Sequence, residues 1–325
     1  MRSRRLGCTD VEVTEMGFGA AAIGNLYTPT DDATAAAAVH AAWDAGVRYF
    51  DTAPHYGLGL AEQRLGRALA AYPREQYVVS TKVGRLLVPN PAPTGSDLRS
   101  GMFAVPDTLT RRLDYSGDGV RRSIEESLRR LGLDRIDLAL VHDPDDLVDQ
   151  TLSEAIPALV ELREQGVVGA IGVGMNQWQA PLRMVREADL DAVMLAGRWT
   201  LVDRSGEPLL AECERRGVSV IAAAPYNSGL LAKHWPGDDA YFDYGPAPAE
   251  MLARARALAR VAEGHGNTLP QLAMQFPLRH VATASVVVGM RGPEEVASSA
   301  ARLTARVVAD VWTDIEGQDI DQRLD

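Results

Sequence analysis

The chain has 325 residues, 46% of them hydrophobic, which suffices for one large α/β core or two smaller ones and excludes global disorder. A formal charge of −11 argues against nucleic acid or an anionic membrane as the main partner, and the apolar runs are too short to span a bilayer. Its two cysteines, Cys8 and Cys213, make neither a disulfide framework nor a cysteine-rich zinc site and fit a reducing cytoplasm.

Arg2, Arg4 and Arg5 form a basic start with no apolar stretch behind them, so no signal peptide is expected. Residues 2–6 and 11–13 flank Gly7-Cys8-Thr9-Asp10 as a hairpin closing one end of the fold. Strand-like apolar runs then recur at 15–20, 47–51, 77–83, 136–141, 168–173, 192–196, 218–223 and 285–289. Helical patterns lie between most of them, at 31–45, 61–71, 117–131, 151–165, 177–188 and 207–216. Two more helices are expected at 248–263 and 268–280, and a last one starts at Pro293. Thr151 and Glu154 read as a capping box, while Gly46, Gly132, Gly166 and Gly217 stand where helices should stop.

Strands alternating with helices imply a parallel sheet, because a parallel crossover needs a helix-length connection. Eight such units in a single domain spanning 1–325 match a closed (β/α)₈ barrel, a TIM barrel with an N-terminal hairpin. An open doubly wound sheet is the alternative, but no strand is followed by Gly-x-Gly-x-x-Gly and there is no P-loop. Residues 84–116 and 226–247 are long for connectors and are expected as loops over the C-terminal face, where active sites of this fold lie.

The stretch from Val47 to Gly59 runs from a β-rich segment into a turn, with Asp51 at the strand end and Tyr56 five positions on. With Lys82 and His142 at the ends of the next two strands, a carboxylate, a phenol, an ammonium and an imidazole meet at one rim. Singly, each has an ordinary structural reading: a turn cap, a packed ring, a solvated strand end, a core histidine. Jointly they suit proton transfer at an oxygen, because a nearby ammonium favours the phenolate and lowers the pKa of a tyrosine.

Asp51-Thr-Ala-Pro-His-Tyr56-Gly-x-Gly-x-x-Glu62, Ser80-Thr-Lys82, Val141-His142 and Gly172-Val-Gly together resemble the aldo-keto reductases nearly end to end. The resemblance implies a nicotinamide cofactor, NAD or NADP, bound without a Rossmann domain, and a catalytic set of Asp51, Tyr56, Lys82 and His142. Lys82-Val-Gly-Arg85, His142-Asp-Pro-Asp145, Gly172 to Gln177, Ala196 to Leu201 and Ala224 to Leu230 resemble sugar 1-dehydrogenases of the L-fucose, D-threo-aldose and L-galactose kind. That resemblance implies oxidation of an anomeric hydroxyl to a lactone, with a sugar or aldehyde as the small-molecule partner. Pyridoxal 4-dehydrogenase or a general carbonyl reductase of the same family is the alternative.

The resemblance further implies that Asn176 or Gln177 holds the carboxamide and that Ser228, Gly229 and Leu230 form a pyrophosphate loop. Gly289 leads to Arg291 and Glu295, which argue in opposite directions on a 2′-phosphate, with NAD favoured. Where many members stack a tyrosine on the nicotinamide, this chain has Ala223; Trp199 or Tyr226 is expected to supply that face, and with Arg85 both are assigned to the substrate side. A dinucleotide-binding sensor without turnover is the reading from another class. A metal-dependent hydrolase is disfavoured, since six scattered histidines show no ligand spacing. No pattern in the chain specifies an oligomer.

Overall fold

The computed structural model describes residues 1–318. A hairpin of β1 (Ser3–Arg5) and β2 (Glu12–Thr14) comes first, pairing Ser3 with Thr14 and Arg5 with Glu12. The chain continues through β3 (Met16–Gly19), α1 (Asp32–Asp44), β4 (Tyr49–Asp51), α2 (Leu60–Leu69) and β5 (Val78–Val83). A second hairpin, β6 (Arg85–Pro89) and β7 (Leu109–Leu113), precedes α3 (Gly117–Leu131) and β8 (Ile136–His142). Next come α4 (Val148–Gln150), a π-helical turn (Thr151–Ala155) and α5 (Ile156–Glu164), which follow one another without a break. β9 (Val168–Met175), α6 (Gln179–Glu187), β10 (Ala192–Ala196), α7 (Glu207–Arg216) and β11 (Ser219–Ala223) follow. The remainder holds the short strands β12 (Tyr241–Phe242) and β13 (Gly245–Pro246), α8 (Ala249–Gly264), α9 (Leu269–Gln275), β14 (Thr283–Gly289), α10 (Pro293–Thr304) and α11 (Ala309–Gln318).

β3, β4, β5, β8, β9, β10, β11 and β14 pair in that order, all parallel, and close on themselves as a (β/α)₈ barrel. Strand side chains alternate between the two faces. Leu138 and Leu140 point into the barrel beside Tyr49, Ala170, Met194 and Ile221, while Ala139 and Val141 pack outward under the helices. Leu6 and Val13 of the N-terminal hairpin join the inner cluster and seal the bottom of the barrel.

Register then sets the height of the polar residues. Asp51 lies opposite Ser80, so Lys82 stands two residues further along β5. Lys82 lies opposite Leu140, so His142 stands two further along β8. In a barrel the strands are tilted and staggered by about one residue per strand, so a climb of two carries Lys82, and then His142, progressively nearer the C-terminal rim. All three therefore reach the C-terminal rim.

The sequence reading differs from the structure in a few places. Thr151 and Glu154 make no capping box: the helix begins earlier, at Val148, and Thr151 is buried in the π turn. The capping box belongs to Thr268 and Gln271, at the start of α9. Residues 84–116 carry the β6–β7 hairpin rather than irregular loop, and α11 had no counterpart among the expected elements.

Gly57, in the turn between Asp51 and α2, combines φ of +62° with a Cβ position 2.2 Å from the Gly24 carbonyl oxygen. Gly132, which stops α3 at φ +68°, has open space around it. Gly57→Ala is expected to cost ~3 kcal/mol or more and Gly132→Ala about 1–2 kcal/mol, compared by urea unfolding. Equal losses would show that the close approach at Gly57 is relieved elsewhere.

Candidate active site

Asp51 and Lys82 are each only 2% exposed. The Lys82 ammonium donates to both Asp51 oxygens, at 2.9 and 2.8 Å, to the Thr52 carbonyl at 3.0 Å and to the Tyr56 hydroxyl at 3.1 Å. Ser80 donates to Asp51 at 2.7 Å, and the Ser80 and Tyr49 hydroxyls share a hydrogen bond of 3.0 Å inside the barrel. Burial by itself pulls the Lys82 ammonium down, but the attraction of Asp51 and Tyr56 and their hydrogen bonds overcome it, so its pKa is raised. The amine stays charged.

Tyr56 shows the opposite balance. Burial pushes the phenol up to about 12, and Lys82 offsets only part of that rise, since the Asp51 carboxylate behind it works against the phenolate. The expectation that the ammonium lowers the phenol pKa below its ordinary value is therefore corrected, because desolvation is the larger effect. At neutral pH the group is a phenol with a proton to give.

His142 ends β8 with its ring centroid 6.1 Å from that of Tyr56 and nearly perpendicular to it. Burial, followed by the charges of Lys82 and Arg85, holds its pKa well below the usual histidine value. It is a neutral imidazole. Tyr115 donates its hydroxyl to the His142 and Asp143 carbonyls at 2.7 and 2.9 Å, fixing the strand end.

Arg85 stays at the site: it opens β6 and donates to Asp143 at 2.8 Å, and that Asp143 oxygen lies 3.4 Å from His142 Nε2. Asn176, just past β9, shares a side-chain hydrogen bond with Tyr244, whereas Gln177 is exposed. Ser228, Gly229 and Leu230 line a cleft of about 180 Å³ together with Lys233 and Tyr241. Asn227, Ser228 and Gly229 are successive positive-φ residues there, and the Ser228 hydroxyl accepts from the Tyr244 amide. A small pocket of this kind, with a cation and turned backbone beside it, suits a pyrophosphate. Gly289 is exposed at the end of β14.

Two aromatic expectations are corrected. Trp199 is buried, donates its indole N–H to the Pro277 carbonyl at 3.3 Å and packs on Phe276, so it belongs to the apolar layer rather than to a substrate surface. Tyr226 packs its ring under the Arg302 guanidinium and accepts from it at 3.2 Å, which ties it to α10. Arg291 likewise differs from the expected free phosphate ligand. Its guanidinium is taken up by the Leu26 and Thr28 carbonyls and the Thr30 hydroxyl, and Glu295 accepts from its backbone N–H at 2.7 Å.

Several residues at the site are given no role by the sequence reading. Glu62, fully buried, accepts from Thr81 at 2.7 Å and Arg130 at 2.6 Å, joining α2 to β5 and α3. Arg111 and Asp97 form a bidentate pair, both bonds 2.6 Å, and Arg111 also donates to the His55 carbonyl at 2.9 Å. Phe103 lies against His55 and Tyr56. His55, Asp143 and Glu62 lie within the Asp51-to-Glu62 and His142-to-Asp145 motifs; Asp97, Phe103 and Arg111 are distant in sequence, and only the fold brings them in.

A profile of the Aldo/keto reductase family matches residues 15–320. The chain is 46% identical over 308 residues to a D-threo-aldose 1-dehydrogenase of Pseudomonas sp, covering 93% of each protein. It is 39% identical to a pyridoxal 4-dehydrogenase of Microbacterium luteolum, covering 97% of this chain and 96% of that one. Among solved structures, the holo form of aldo-keto reductase AKR11C1 from Bacillus halodurans superposes with a TM-score of 0.76 at 26% identity, covering 98% of this chain and 96% of that one.

Burial of the histidines has a measurable consequence. His55 is held down to about 2, first by burial and then by Arg111, Arg85 and Lys82. Below an ordinary pKa near 6.5 the unfolded chain takes up a proton that folded His55 refuses, so stability falls as pH drops from 6.5 toward about 2. Replacing His55 by Phe should remove about 1.4 kcal/mol per pH unit from the slope of unfolding free energy below that point. Chemical denaturation of both proteins between pH 5 and 6.5 measures it; identical slopes would mean that His55 titrates normally.

Proposed function

This chain belongs to the aldo/keto reductase family, and we propose that it oxidises the anomeric C1 hydroxyl of an aldose of the L-fucose, D-arabinose or L-galactose type to a lactone. The observation that carries the reading is the Tyr56 hydroxyl held 3.1 Å from a buried, Asp51-paired ammonium, next to a neutral His142. A bound nicotinamide dinucleotide supplies the hydride acceptor. Tyr56 is the residue that exchanges the proton of the substrate oxygen. Lys82, stabilised by Asp51, favours the phenolate form, which removal of a hydroxyl proton requires. In the reverse direction the protonated phenol is ready as it stands. His142, neutral and fixed by Tyr115, can donate to or accept from the same oxygen and aim it at Tyr56. The bond changes balance: C1 loses a hydride to the cofactor and its hydroxyl loses a proton, leaving the lactone carbonyl.

Identity of 46% to a D-threo-aldose 1-dehydrogenase supports the sugar substrate. Asn176 and Gln177 are proposed to hold the carboxamide, and Ser228, Gly229, Leu230 and Lys233 the pyrophosphate. We favour NAD over NADP. What supports this is that three protein oxygens already take up the Arg291 guanidinium and that the Glu295 carboxylate accepts from the Arg291 backbone N–H, adding a negative charge beside it.

Tyr56→Phe should lower kcat by roughly 10²–10⁴-fold while NADH still binds. Oxidation of L-fucose, D-arabinose, L-galactose and pyridoxal with each cofactor should give turnover on a sugar, at least about tenfold better with NAD. Turnover of pyridoxal alone would move the substrate to the second relative's chemistry. Binding of NADH without any turnover would favour a sensor.

A further inference from the structure

His55, the residue before the proposed acid, is held more tightly than a turn residue needs to be. Its ring stands edge-on to His142, 5.7 Å between centroids and 76° apart, and edge-on to Phe103, 5.4 Å away. Its carbonyl accepts from Arg111, which Asp97, 1% exposed, grips with both oxygens. A buried bidentate pair of this kind tolerates little change of geometry. The first long loop is thereby clamped to the residue beside Tyr56.

The clamped ring also has unused hydrogen-bonding capacity. Nδ1 of His55 and Nδ1 of His142 are both buried, and neither has a partner among the described residues. Those two atoms are closed to a ligand; His55 is itself part-exposed, so a substrate oxygen reaches its ring only at the other nitrogen, Nε2, for which the described residues supply no partner. Both imidazoles are neutral, by burial and by the surrounding cations Lys82, Arg85 and Arg111. A neutral imidazole carries one donor and one acceptor, as a hydroxyl does. Oxygens on adjacent carbons lie roughly one hydrogen-bond length apart, so one can meet His142 while its neighbour meets His55.

We propose that His55 is a substrate-binding residue that takes the hydroxyl on the carbon next to the one losing hydride, and that Arg111 and Asp97 are positioning residues acting through it. The inference rests on the aldose reading and makes the site selective for sugars hydroxylated at C2 over their deoxy counterparts and over simple carbonyl compounds.

D-arabinose and 2-deoxy-D-ribose differ at C2 only by that hydroxyl and are the probes. The wild-type enzyme should prefer D-arabinose by at least about tenfold in kcat/KM, the scale of one well-placed hydrogen bond. In His55→Phe the ratio should fall to near unity, whatever happens to the absolute rates, and His55→Asn, which keeps a donor and an acceptor, should restore part of it. Arg111→Met should reduce the ratio and Arg111→Lys reduce it less. A ratio is insensitive to a variant that is partly unfolded, since both substrates then lose alike. An unchanged ratio in His55→Phe would overturn the proposal and leave His55 a packing residue. A wild-type enzyme that oxidises both sugars equally would overturn it while the aldose reading stands. A wild type that oxidises neither would remove that reading and this inference with it.

Discussion

The ammonium of Lys82 is the constraint around which the site is built. An amine 2% exposed, inside a barrel of leucine, alanine and isoleucine, forfeits its hydration, and the effective penalty for burying an ion is several kcal/mol. Its protons must then be taken up by groups the fold delivers. Asp51 takes one between its two oxygens, the Thr52 carbonyl a second, and the third points at the Tyr56 hydroxyl. The same contacts that make a buried charge tolerable thus leave one direction open, and the phenol fills it. Asp51 is in turn held by Ser80, and Ser80 by Tyr49 in the centre of the barrel.

Around this axis the outer layers hold geometry rather than chemistry. The stagger of β4, β5 and β8 brings Asp51, Lys82 and His142 to the C-terminal ends of neighbouring strands. Glu62 ties α2 to β5 and α3, Tyr115 secures the end of β8, and Arg111 with Asp97 ties the first long loop to the turn carrying Tyr56. The Glu62 and Tyr115 contacts join buried polar groups that find partners, the condition under which such contacts define one arrangement rather than loosen it. The Arg111–Asp97 pair is bidentate but leaves Arg111 Nε buried and without a partner among the described residues. The cost is visible in the electrostatics: the same burial keeps both imidazoles neutral and the phenol protonated.

The barrel was legible because its strands are short apolar runs separated by helical patterns, and positive-φ glycines at 46, 132, 166 and 217 end the helices as expected. Asp51, Tyr56, Lys82 and His142 were legible together because strand ends in consecutive βα units share a rim. What the sequence hid depends on distance or on balance. Arg111 reaches His55 across 56 residues, and no local pattern announces it. Trp199 and Arg291 sit in stretches that point to the site, yet their side chains turn to Pro277 and to the Leu26–Thr30 segment. The direction of the Tyr56 shift needed the depth of burial, which residue types alone do not convey. The π turn at Thr151 also follows from packing, since the local residues match an ordinary helix start.

If Lys82 acts on the substrate only through Tyr56, the two residues form one functional unit and their losses must not add. The direct measurement is kcat for Tyr56→Phe, Lys82→Met and the double variant, per NADH-binding site, on the best sugar substrate. The account predicts that the double variant is no slower than Tyr56→Phe within about threefold, close to the usual additivity error. Multiplicative losses would show that the ammonium works on the reaction by a route of its own, and would contradict the phenol–ammonium–carboxylate chain on which the proposed chemistry stands.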